Sequence, residues 1–460
     1  MNQFYNPIFI SKVLKSYLFD IDRLKKINEN QLKIFQDKQF RKMVAFTFTV
    51  PMYHDIYVKA GIHPRDITGI KDITKLPMIS KEEIKHYYPQ GIISTKIPKN
   101  RLIEVSTSGT TGKKLSIYVD PFDIVMGLFG YLRTLREYGI SWRNDRISII
   151  GDFAPHTAES GYIHRGIMSQ GRLRGLFHNI QWLNTNDDPE KVIKELNNFH
   201  PDFIGGYAGM LGHLAVFKEK GLGQDVSPHV IASTGSVLDP SLKTFIEKSF
   251  GAHVFEAYGA TESGPLAFQC HEGSFHVMSD LVFLEFFREN KPVVSGEAGK
   301  LVVTKLYGRG TPFIRYTAVN DIVAPRLEKC SCDIVGELIQ KVYGRDDLAL
   351  FFSGGRVLLA SSISNIYSRL LYELKTNKVK ETKVIQSSMT KIDVQVVIDQ
   401  HLKKEDPSVD QICVFLQRCF QEKIGSGVDI VVREVSEIDK TGPRIISNVD
   451  ASNFEIQEYM

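Results

Sequence analysis

The first hundred residues follow a helical pattern. Apolar residues recur three and four positions apart in SKVLKSYLFDIDRLKKINENQLKIFQDKQFRKMVAF, residues 11–46, and this spacing places them on one face of a helix. A further helix is predicted after Ser80 in LPMISKEEIKHYY, because Ser80 is a favourable N-cap and Glu82 and Glu83 fall in the first turn. Residues 1–100 are therefore predicted to form a helical lead-in.

From Arg101 onward, short apolar runs alternate with amphipathic stretches. The strand-like runs end in loops and read DRISIIGDF, PDFIGGY, HVIASTGS and HVFEAYG, and the stretches between them include DPEKVIKELNNF and DPSLKTFIEKSF. This alternation predicts an α/β protein with a mainly parallel sheet and helical crossovers. Because ligands gather at the carboxyl ends of the strands in such sheets, the loops after these runs are the expected site.

The pattern changes near Asp280 and again near Gly344. The runs LVFLEFF, KLVVTKL and DIVAP predict a β-rich part over 280–343, and KVIQSSMTKIDVQVVID and VDIVVREV predict strands of a smaller α/β region beyond it. We therefore expect a large N-terminal domain over 1–343 and a small C-terminal domain over 344–460. The Gly and Asp-Asp content of GRDD suits a hinge, although an exposed turn has the same composition.

Composition and charge restrict the class of protein. The chain has 460 residues, 43% hydrophobic and 24% charged, which is typical of globular proteins. A formal charge of +4 is too small to favour a nucleic-acid or membrane-surface partner. No apolar run approaches about 18 residues, and MNQFYNPIFISKVLKSYLF mixes Lys and Asn into its apolar positions. We therefore expect a cytoplasmic protein without nucleic-acid or membrane binding, and a homodimer stays open.

Ser106 opens the stretch STSGTTGKK, which combines small hydroxyl residues, glycines and two lysines. Glycines let the backbone approach phosphate oxygens, Ser and Thr donate hydrogen bonds, and Lys adds positive charge. The spacing does not match a P-loop, because Thr107 stands where the first Gly of a P-loop belongs and Lys114 follows Lys113. The stretch is a different phosphate-binding loop or a polar surface turn.

Four other segments carry groups that suit a nucleotide. EAYGATESGP places Thr261 beside Glu262 at the end of a predicted strand, and a carboxylate among phosphate donors is suited to holding Mg2+. Asp321, in PFIRYTAVNDIVAP, could accept hydrogen bonds from vicinal ribose hydroxyls. Each of these has a plain alternative as a helix-start carboxylate, a turn residue or a solvated charge. The remaining charged candidates are Arg345 and Arg356 in GRDDLALFFSGGR, and Lys440 and Arg444 in EIDKTGPRIIS.

The five cysteines fall into two groups. Cys413 and Cys419 are spaced as on one helix and are expected to be buried thiols. The other three could join a histidine in a tetrahedral Cys3His zinc site if their two loops meet, and the alternative is a set of reduced, unligated cysteines. These candidate ligands are Cys270, His276, Cys330 and Cys332, with His271 as a rival for the histidine position.

The motifs STSGTTGKK, YGATE, IRYTAVND and GRDDLALFFSGGRV, in this order, resemble the sequence blocks of the adenylate-forming superfamily. Within it, the chain most resembles the phenylacetate-CoA ligase branch, whose lead-in is similar to GIHPRDITGIKDITKLPMISKEEIKHYYP. The resemblance covers nearly the whole chain. It implies the adenylate-forming fold, in which a small mobile C-terminal domain rotates between two half-reactions about a hinge, here at Asp347.

The resemblance also implies roles for the matching residues. The phosphate loop is matched by Ser106, Thr107, Ser108, Gly109, Thr110, Thr111, Gly112 and Lys113. The segment that stacks on adenine, touches the α-phosphate and binds Mg2+ is matched by Tyr258, Gly259, Thr261 and Glu262. The loop framing adenine and the acyl pocket is matched by Thr234, Gly235 and Ser236. Asp321 and Arg345 match ribose contacts, and Arg356 matches an arginine that approaches phosphate. Some members of the branch carry a Cys/His metal site near the same loops, which favours a structural zinc.

The implied activity is that of an AMP-forming acid–thiol ligase. A carboxylate attacks the α-phosphorus of ATP, pyrophosphate leaves under Mg2+, and a thiol then displaces AMP from the acyl-adenylate. A small carboxylic acid is the expected substrate and CoA the expected acceptor. A carrier-protein thiol or an amine stays open as the acceptor, and so does a nucleotide-binding protein without turnover.

Two segments depart from the family pattern. Pro443, in TGPRIIS, stands where the family has the lysine that reaches the α-phosphate, so Lys440 or Arg444 is expected to take that role, with Lys440 preferred. GDFAPHTAESGYIHRG is more polar than the stretch that lines the acyl site in this branch, which suggests a polar or amino-bearing acid instead of phenylacetate. Its polar side chains include His156, Glu159 and His164.

Overall fold

A computed structural model of the chain describes residues 6–106, 115–154, 157–161, 175, 177–346, 348–439, 442–451 and 454–460. The apolar spacing of the lead-in forms helices as predicted, and Ser80 caps its helix through a reciprocal pair of hydrogen bonds with Glu83. Short 3-10 helices cover Pro64–Asp66, Ile70–Lys75 and Lys99–Arg101. The α-helices of the described residues are α1 Pro7–Phe19, α2 Arg23–Lys26, α3 Glu29–Thr47, α4 Pro51–Lys59, α5 Lys81–Tyr87, α6 Pro121–Glu137, α7 Ala158–Ser160, α8 Pro189–Phe199, α9 Ala208–Glu219, α10 Pro240–Phe250, α11 Ala360–Tyr372 and α12 Val409–Ile424.

The strands begin immediately before the Ser106 loop. Those of the described residues are β1 Ile103–Ser106, β2 Ser116–Val119, β3 Ile147–Gly151, β4 Ile180–Asn184, β5 Phe203–Tyr207, β6 Val230–Thr234, β7 His253–Ala260, β8 Gly264–Gln269, β9 Phe275–Val277, β10 Val282–Arg288, β11 Lys291–Pro292, β12 Gly299–Lys305, β13 Asp321–Arg326, β14 Leu338–Arg345, β15 Ala349–Phe352, β16 Arg356–Leu359, β17 Val379–Ser388, β18 Lys391–Ile398, β19 Asp429–Glu434, β20 Ile445–Ser447 and β21 Glu458–Tyr459.

One large mixed sheet dominates the described part of the chain. Its twelve strands lie in the order β11-β10-β12-β13-β14-β9-β8-β7-β6-β5-β3-β4. The five strands from β4 to β7 are parallel, as the strand and helix alternation predicted. From β7 onward every pairing is antiparallel, so the parallel order does not extend to the β-rich part. The β-rich part is thus the continuation of the same sheet.

Strand β7 joins the two halves of this sheet. Its first half, His253–Glu256, pairs with β6, and its second half, Ala257–Ala260, pairs with β8 on the other side. Helices α8, α9 and α10 cover the parallel half and bury apolar side chains such as Leu196, Leu214 and Ile246 against it. The ends of β6 and β7, and the loops that follow them, therefore meet at one edge.

The small C-terminal region has two further sheets, ordered β15-β16-β21 and β19-β18-β17-β20. Helix α12 carries Cys419 buried and Cys413 half-buried, which agrees with the predicted helical spacing. Helix α11 packs on α9 of the large region, where Leu371 joins the core of the parallel half. A Cβ atom at Gly212 would stand 2.6 Å from Leu371 Cδ1, so a larger residue there would displace the Leu371 side chain. The division at Gly344 stays a prediction, because β14 runs through Gly344 to Arg345.

No helix in the described part of the chain is both long and apolar enough to cross a membrane.

Candidate functional site

A cavity of about 1220 Å³ opens at the carboxyl ends of the parallel strands. Strands β13 and β14 and helix α11 close it on the other sides. This is where a sheet with helical crossovers is expected to hold its ligand, because the loops after neighbouring strands diverge there. Nine of the residues singled out in the sequence line it: Thr234, Gly235, Ser236, Tyr258, Gly259, Thr261, Glu262, Asp321 and Arg345.

Tyr258, Asp321 and Arg345 come together from β7, β13 and β14. The Tyr258 hydroxyl donates to Asp321 Oδ2 at 2.5 Å, and Asp321 lies opposite Arg345 in the antiparallel pair β13–β14. Burial, together with the Asp321 carboxylate, raises the pKa of Tyr258 well above its usual range, so the hydroxyl keeps its proton and remains a donor. A carboxylate beside a guanidinium, held by a buried tyrosine, is suited to binding the hydroxyls of a sugar.

Glu262 lies in the same cavity just after β7. Burial raises the pKa of its carboxyl group, the cations Arg345 and Lys81 act in the opposite direction, and Asp321 raises the pKa further. A desolvated carboxylate is stabilised by a bound cation, and oxygen ligands of this kind suit Mg2+. Glu262 therefore fits the role of a magnesium ligand, with Thr261 beside it.

Lys81 is a cavity residue that the sequence reasoning missed. It is the first residue of α5, immediately after the Ser80 cap, and it precedes Glu82 and Glu83. A cation in the first turn opposes the helix dipole, whereas the two glutamates favour it. Because a lysine is unfavourable at this position of a helix, its presence indicated that the side chain has a role outside the helix.

Gly235 shapes the part of the cavity next to Tyr207. Its φ of 78° is in the left-handed region, and a Cβ atom there would stand 2.1 Å from the ring of Tyr207. Only glycine meets both conditions. The Tyr207 ring thus packs under the Thr234–Ser236 loop, and its hydroxyl donates to Glu159 Oε1 at 2.8 Å. Tyr207 was not anticipated, although an aromatic residue at the carboxyl end of the parallel strand β5 was a usable signal.

Helix α11 contributes polar side chains to the cavity from the small region. Ser361, Ser364 and Asn365 line it, whereas Ile363 and Ile366 on the same helix are buried in the core of the small region. These contacts were also missed, because nothing in SSISN distinguishes a solvated helix face from a cavity wall.

Two predicted phosphate contacts lie elsewhere in this arrangement. Arg356 donates to the carbonyl oxygen of Ile424 at 2.8 Å within the small region, and Arg444 pairs with Glu381 at 2.7 Å. Neither lines the cavity, so their proposed roles stay predictions.

Ser106, at the end of β1, faces Ser116 with 2.9 Å between the hydroxyl oxygens. Several predicted residues lie outside the described part of the chain: Thr107, Ser108, Gly109, Thr110, Thr111, Gly112, Lys113, His156, His164, Asp347 and Lys440.

The Cys/His set forms a second cluster, whose four ligand residues do not line the cavity although the neighbouring Ser274, Phe275 and Arg326 do. One ligand atom from each of Cys270, His276, Cys330 and Cys332 lies within 4.8 Å of the others. Cys270 Sγ is 3.7 Å from Cys330 Sγ, and Cys332 Sγ is 3.1 Å from His276 Nε2. A tetrahedral zinc with metal–sulfur distances of about 2.3 Å sets two sulfurs about 3.8 Å apart, so the cluster fits that ion.

Two of the four groups in the cluster, His276 and Cys330, have pKa shifts that suit a metal, whereas burial raises the pKa of Cys270 and raises that of Cys332 to about 12. Burial lowers the pKa of His276 to about 4, which keeps the imidazole neutral. Burial alone would raise the pKa of Cys330, but hydrogen bonds involving Cys332 and Ser274 lower it to about 7. His271 is not among the residues whose ligand atoms meet in this cluster, and its Nδ1 lies 2.7 Å from Glu137 Oε1.

Comparison with known proteins gives several related sequences. No family model matches the chain. Protein CapK from Staphylococcus aureus is 23% identical over 396 residues, which cover 85% of this chain and 84% of CapK. The phenylacetate-coenzyme A ligase of Escherichia coli strain K12 is 23% identical over 448 residues, covering 94% and 98%. The enzyme of the same name from Thermus thermophilus is 24% identical over 351 residues, covering 73% and 75%.

Solved structures with the same fold include two structures of one CoA ligase. A 2-hydroxyisobutyryl-CoA ligase in the postadenylation state, in complex with 2-HIB-AMP, matches with a TM-score of 0.67 at 16% identity and covers 92% of this chain and 88% of its own. The same enzyme with 2-HIB-AMP and CoA, in the thioesterification state, matches with a TM-score of 0.63 at 14% identity, covering 95% and 92%. The chain is a homologue of the phenylacetate-coenzyme A ligases and of CapK, and it has the fold of the adenylate-forming enzymes.

Proposed function

We propose that the protein is an AMP-forming ligase that activates a carboxylic acid with ATP and transfers the acyl group to the thiol of CoA. The observation that carries this proposal is the meeting of Tyr258, Asp321, Arg345 and Glu262 in one cavity at the carboxyl ends of β6 and β7. The homologous phenylacetate-coenzyme A ligases, which align over most of the chain, support it.

Each side chain of this group has a task toward ATP. The Asp321 carboxylate accepts hydrogen bonds from the ribose hydroxyls, and the Tyr258 ring offers a face to adenine while its hydroxyl holds Asp321 in place. Glu262 would hold Mg2+, which supplies charge neutralisation for the departing pyrophosphate when it is bound. The Ser106 loop, residues 106–113, is the proposed cradle for the β- and γ-phosphates.

The chemistry proceeds in two displacements. In the first, a carboxylate oxygen of the acid forms a bond to the α-phosphorus, and the bond from that phosphorus to the bridging oxygen of the β-phosphate breaks. In the second, the CoA sulfur attacks the acyl carbon, its proton is lost, and AMP leaves with the bonding pair. The protein contributes mainly position and positive charge, so hydrogen-bond donors matter more than a tuned nucleophile.

The departure at Pro443 leaves open which cation reaches the α-phosphate. Arg444 is paired with Glu381, whereas Lys81 lies in the cavity wall near Glu262. Lys440 remains the proposed catalytic lysine of the small domain, with Lys81 as a second cation at the nucleotide end. If neither serves, the protein binds ATP without turnover, and Pro443 is the feature that favours this alternative.

The Cys3His cluster is proposed to bind a structural zinc. Two sulfurs at 3.7 Å and a neutral His276 support it. The ion would tie the loop between β13 and β14 to β8 and β9, and it would take no part in the reaction.

The test is pyrophosphate release from Mg-ATP across a panel of carboxylic acids, each with and without CoA. We expect release with a subset of acids and stimulation by CoA. Release that CoA does not stimulate would point to a carrier-protein thiol or an amine as the acceptor. ATP binding with no release for any acid would contradict the ligase and support the non-catalytic alternative.

A further inference from the structure

Glu159 and Tyr207 form a hydrogen-bonded pair in the wall of the cavity. Glu159 follows β3 and Tyr207 ends β5, and these two strands are neighbours in the sheet. The Tyr207 hydroxyl donates to Glu159 Oε1 at 2.8 Å, and both side chains line the cavity. Because the Tyr207 ring packs under Gly235, Glu159 stands one tyrosine ring away from the Thr234–Ser236 loop.

The surroundings of Glu159 are acidic or neutral. Besides burial, the described groups that act on its carboxyl group are its own backbone amide, Tyr207 and Asp152. None of these is a cation, and Asp152 repels a negative charge. Burial raises the pKa of Glu159 as a result, and the carboxyl group in turn raises the pKa of Tyr131 to about 12, in addition to the effect of burial. This part of the cavity holds negative charge that no described cation balances.

The walls around this carboxylate are largely aromatic. Tyr131, Phe153 and Trp182 line the cavity, and the rings of Phe153 and Trp182 meet edge to face at 5.8 Å. Aromatic faces beside a desolvated carboxylate are the chemistry that binds an ammonium group, through cation–π contacts and a charged hydrogen bond. An acid with only an apolar tail would leave the carboxylate desolvated and unpaired, which is unfavourable.

We propose that Glu159, oriented by Tyr207, binds a protonated amine of the substrate, so that the acid activated here is an amino-bearing carboxylic acid. The inference rests on the proposed ligase function and narrows its substrate class. Glu159 is then a specificity residue that acts at the acyl end, and it takes no part in the attack on phosphorus.

The experiment compares acids of equal size that differ only in charge. One pair is 5-aminopentanoate and hexanoate, and the other is 4-(aminomethyl)phenylacetate and 4-ethylphenylacetate, so an ammonium replaces a methyl group in each. Acid-dependent ATP–pyrophosphate exchange gives kcat/KM for each acid with the wild type, Glu159→Gln and the surface control Glu190→Gln. Glutamine keeps the size of the side chain and its acceptor for Tyr207, so the variant is expected to fold. Calorimetric binding of each acid to the three proteins is measured alongside.

We expect the wild type to prefer the amine of at least one pair by about tenfold or more in kcat/KM. Glu159→Gln should remove that preference, while Glu190→Gln keeps it. A wild type that prefers or binds only the uncharged acids would overturn the inference, and so would a preference unchanged in Glu159→Gln. Absence of amine binding to the wild type would also overturn it. If the amines bind and Glu159→Gln loses them while no acid supports exchange, the inference stands and the ligase function fails.

Discussion

The two ends of the cavity differ in their balance of charge. At the nucleotide end, the carboxylates Asp321 and Glu262 lie near the cations Arg345 and Lys81. At the acyl end, Glu159 has Asp152 and two tyrosines as its neighbours. A balanced end can accept a ligand such as Mg-ATP, which brings charges of both signs, whereas the acyl end accepts a group that supplies positive charge. The proposed nucleotide recognition and the proposed acid selection thus fall on separate side chains.

Glu262→Gln should have the largest effect on the nucleotide end. Losing the carboxylate removes the proposed magnesium ligand, so we expect pyrophosphate exchange to fall about 100-fold or more and to need more Mg2+. Exchange measured across a magnesium titration checks this. The control is Glu82→Gln, because Glu82 is an exposed glutamate beside Lys81. Activity within about twofold of the wild type would remove Glu262 from the metal site.

Lys440→Gln and Arg444→Gln form the next comparison. We expect Lys440→Gln to slow adenylation about 100-fold, because the α-phosphate loses the positive charge of the lysine that is proposed to contact it. Arg444→Gln should change it by about threefold at most, because Arg444 already pairs with Glu381. Single-turnover formation of the acyl-adenylate measures both. The reverse order would show that Arg444 leaves Glu381 during the reaction.

Gly235→Ala should affect the acyl end of the cavity more than the nucleotide end. The added methyl group collides with the Tyr207 ring, so we expect kcat/KM for the acid to fall about tenfold or more while the affinity for ATP changes little. Gly139→Ala is the matched control, since Gly139 has a φ of 74° and no atom within 4 Å of an added Cβ atom. Equal losses in both variants would assign the effect to backbone strain alone.

Tyr258→Phe tests the nucleotide end more gently. It removes the hydrogen bond to Asp321 and keeps the ring, so the KM for ATP should rise about fivefold with little change in kcat. The KM for the acid in the same assays serves as the internal control. An unchanged KM for ATP would mean that Asp321 needs no support from Tyr258.

Cys332→Ser should leave the cavity almost unaffected. We expect it to lose bound zinc and to lower the melting temperature by several degrees, while kcat at 25 °C stays within about twofold. Metal analysis of protein purified without chelator and thermal melts give the result. Cys413→Ser, outside the cluster, should keep the metal. Wild-type protein without zinc would refute the proposed site.

Local patterns predicted the parallel half of the sheet, but pairings between distant segments could not be read from the sequence. The strand and helix alternation is local and identified β3, β5, β6 and β7. The antiparallel continuation depends on which strands meet, and that is decided by non-local packing. His271 illustrates the limit, because it neighbours Cys270 in sequence while its ring turns toward Glu137 on α6.

The cavity shows the same division. Glu159 was noticed because it makes its segment unusually polar, but its partner Tyr207 lies 48 positions away. Tyr258 and Asp321 were each identified by motif, and their hydrogen bond spans 63 positions. The residue types identified the individual site residues, whereas the order of strands in the sheet showed which of them are neighbours.

The hairpin of β13 and β14 contains two bulges, between Ile322 and Val323 and between Ala324 and Pro325. A shift of one residue in strand pairing would turn every following side chain to the opposite face. Cys330 and Cys332 lie in the loop of this hairpin, Cys270 lies just after β8, and His276 lies on β9. Only one alignment of the hairpin keeps all four ligands together, and the same alignment sets Asp321 opposite Arg345. The loop end of the hairpin, where the two cysteines lie, and its open end, where Asp321 and Arg345 lie, are thus fixed by one strand pairing.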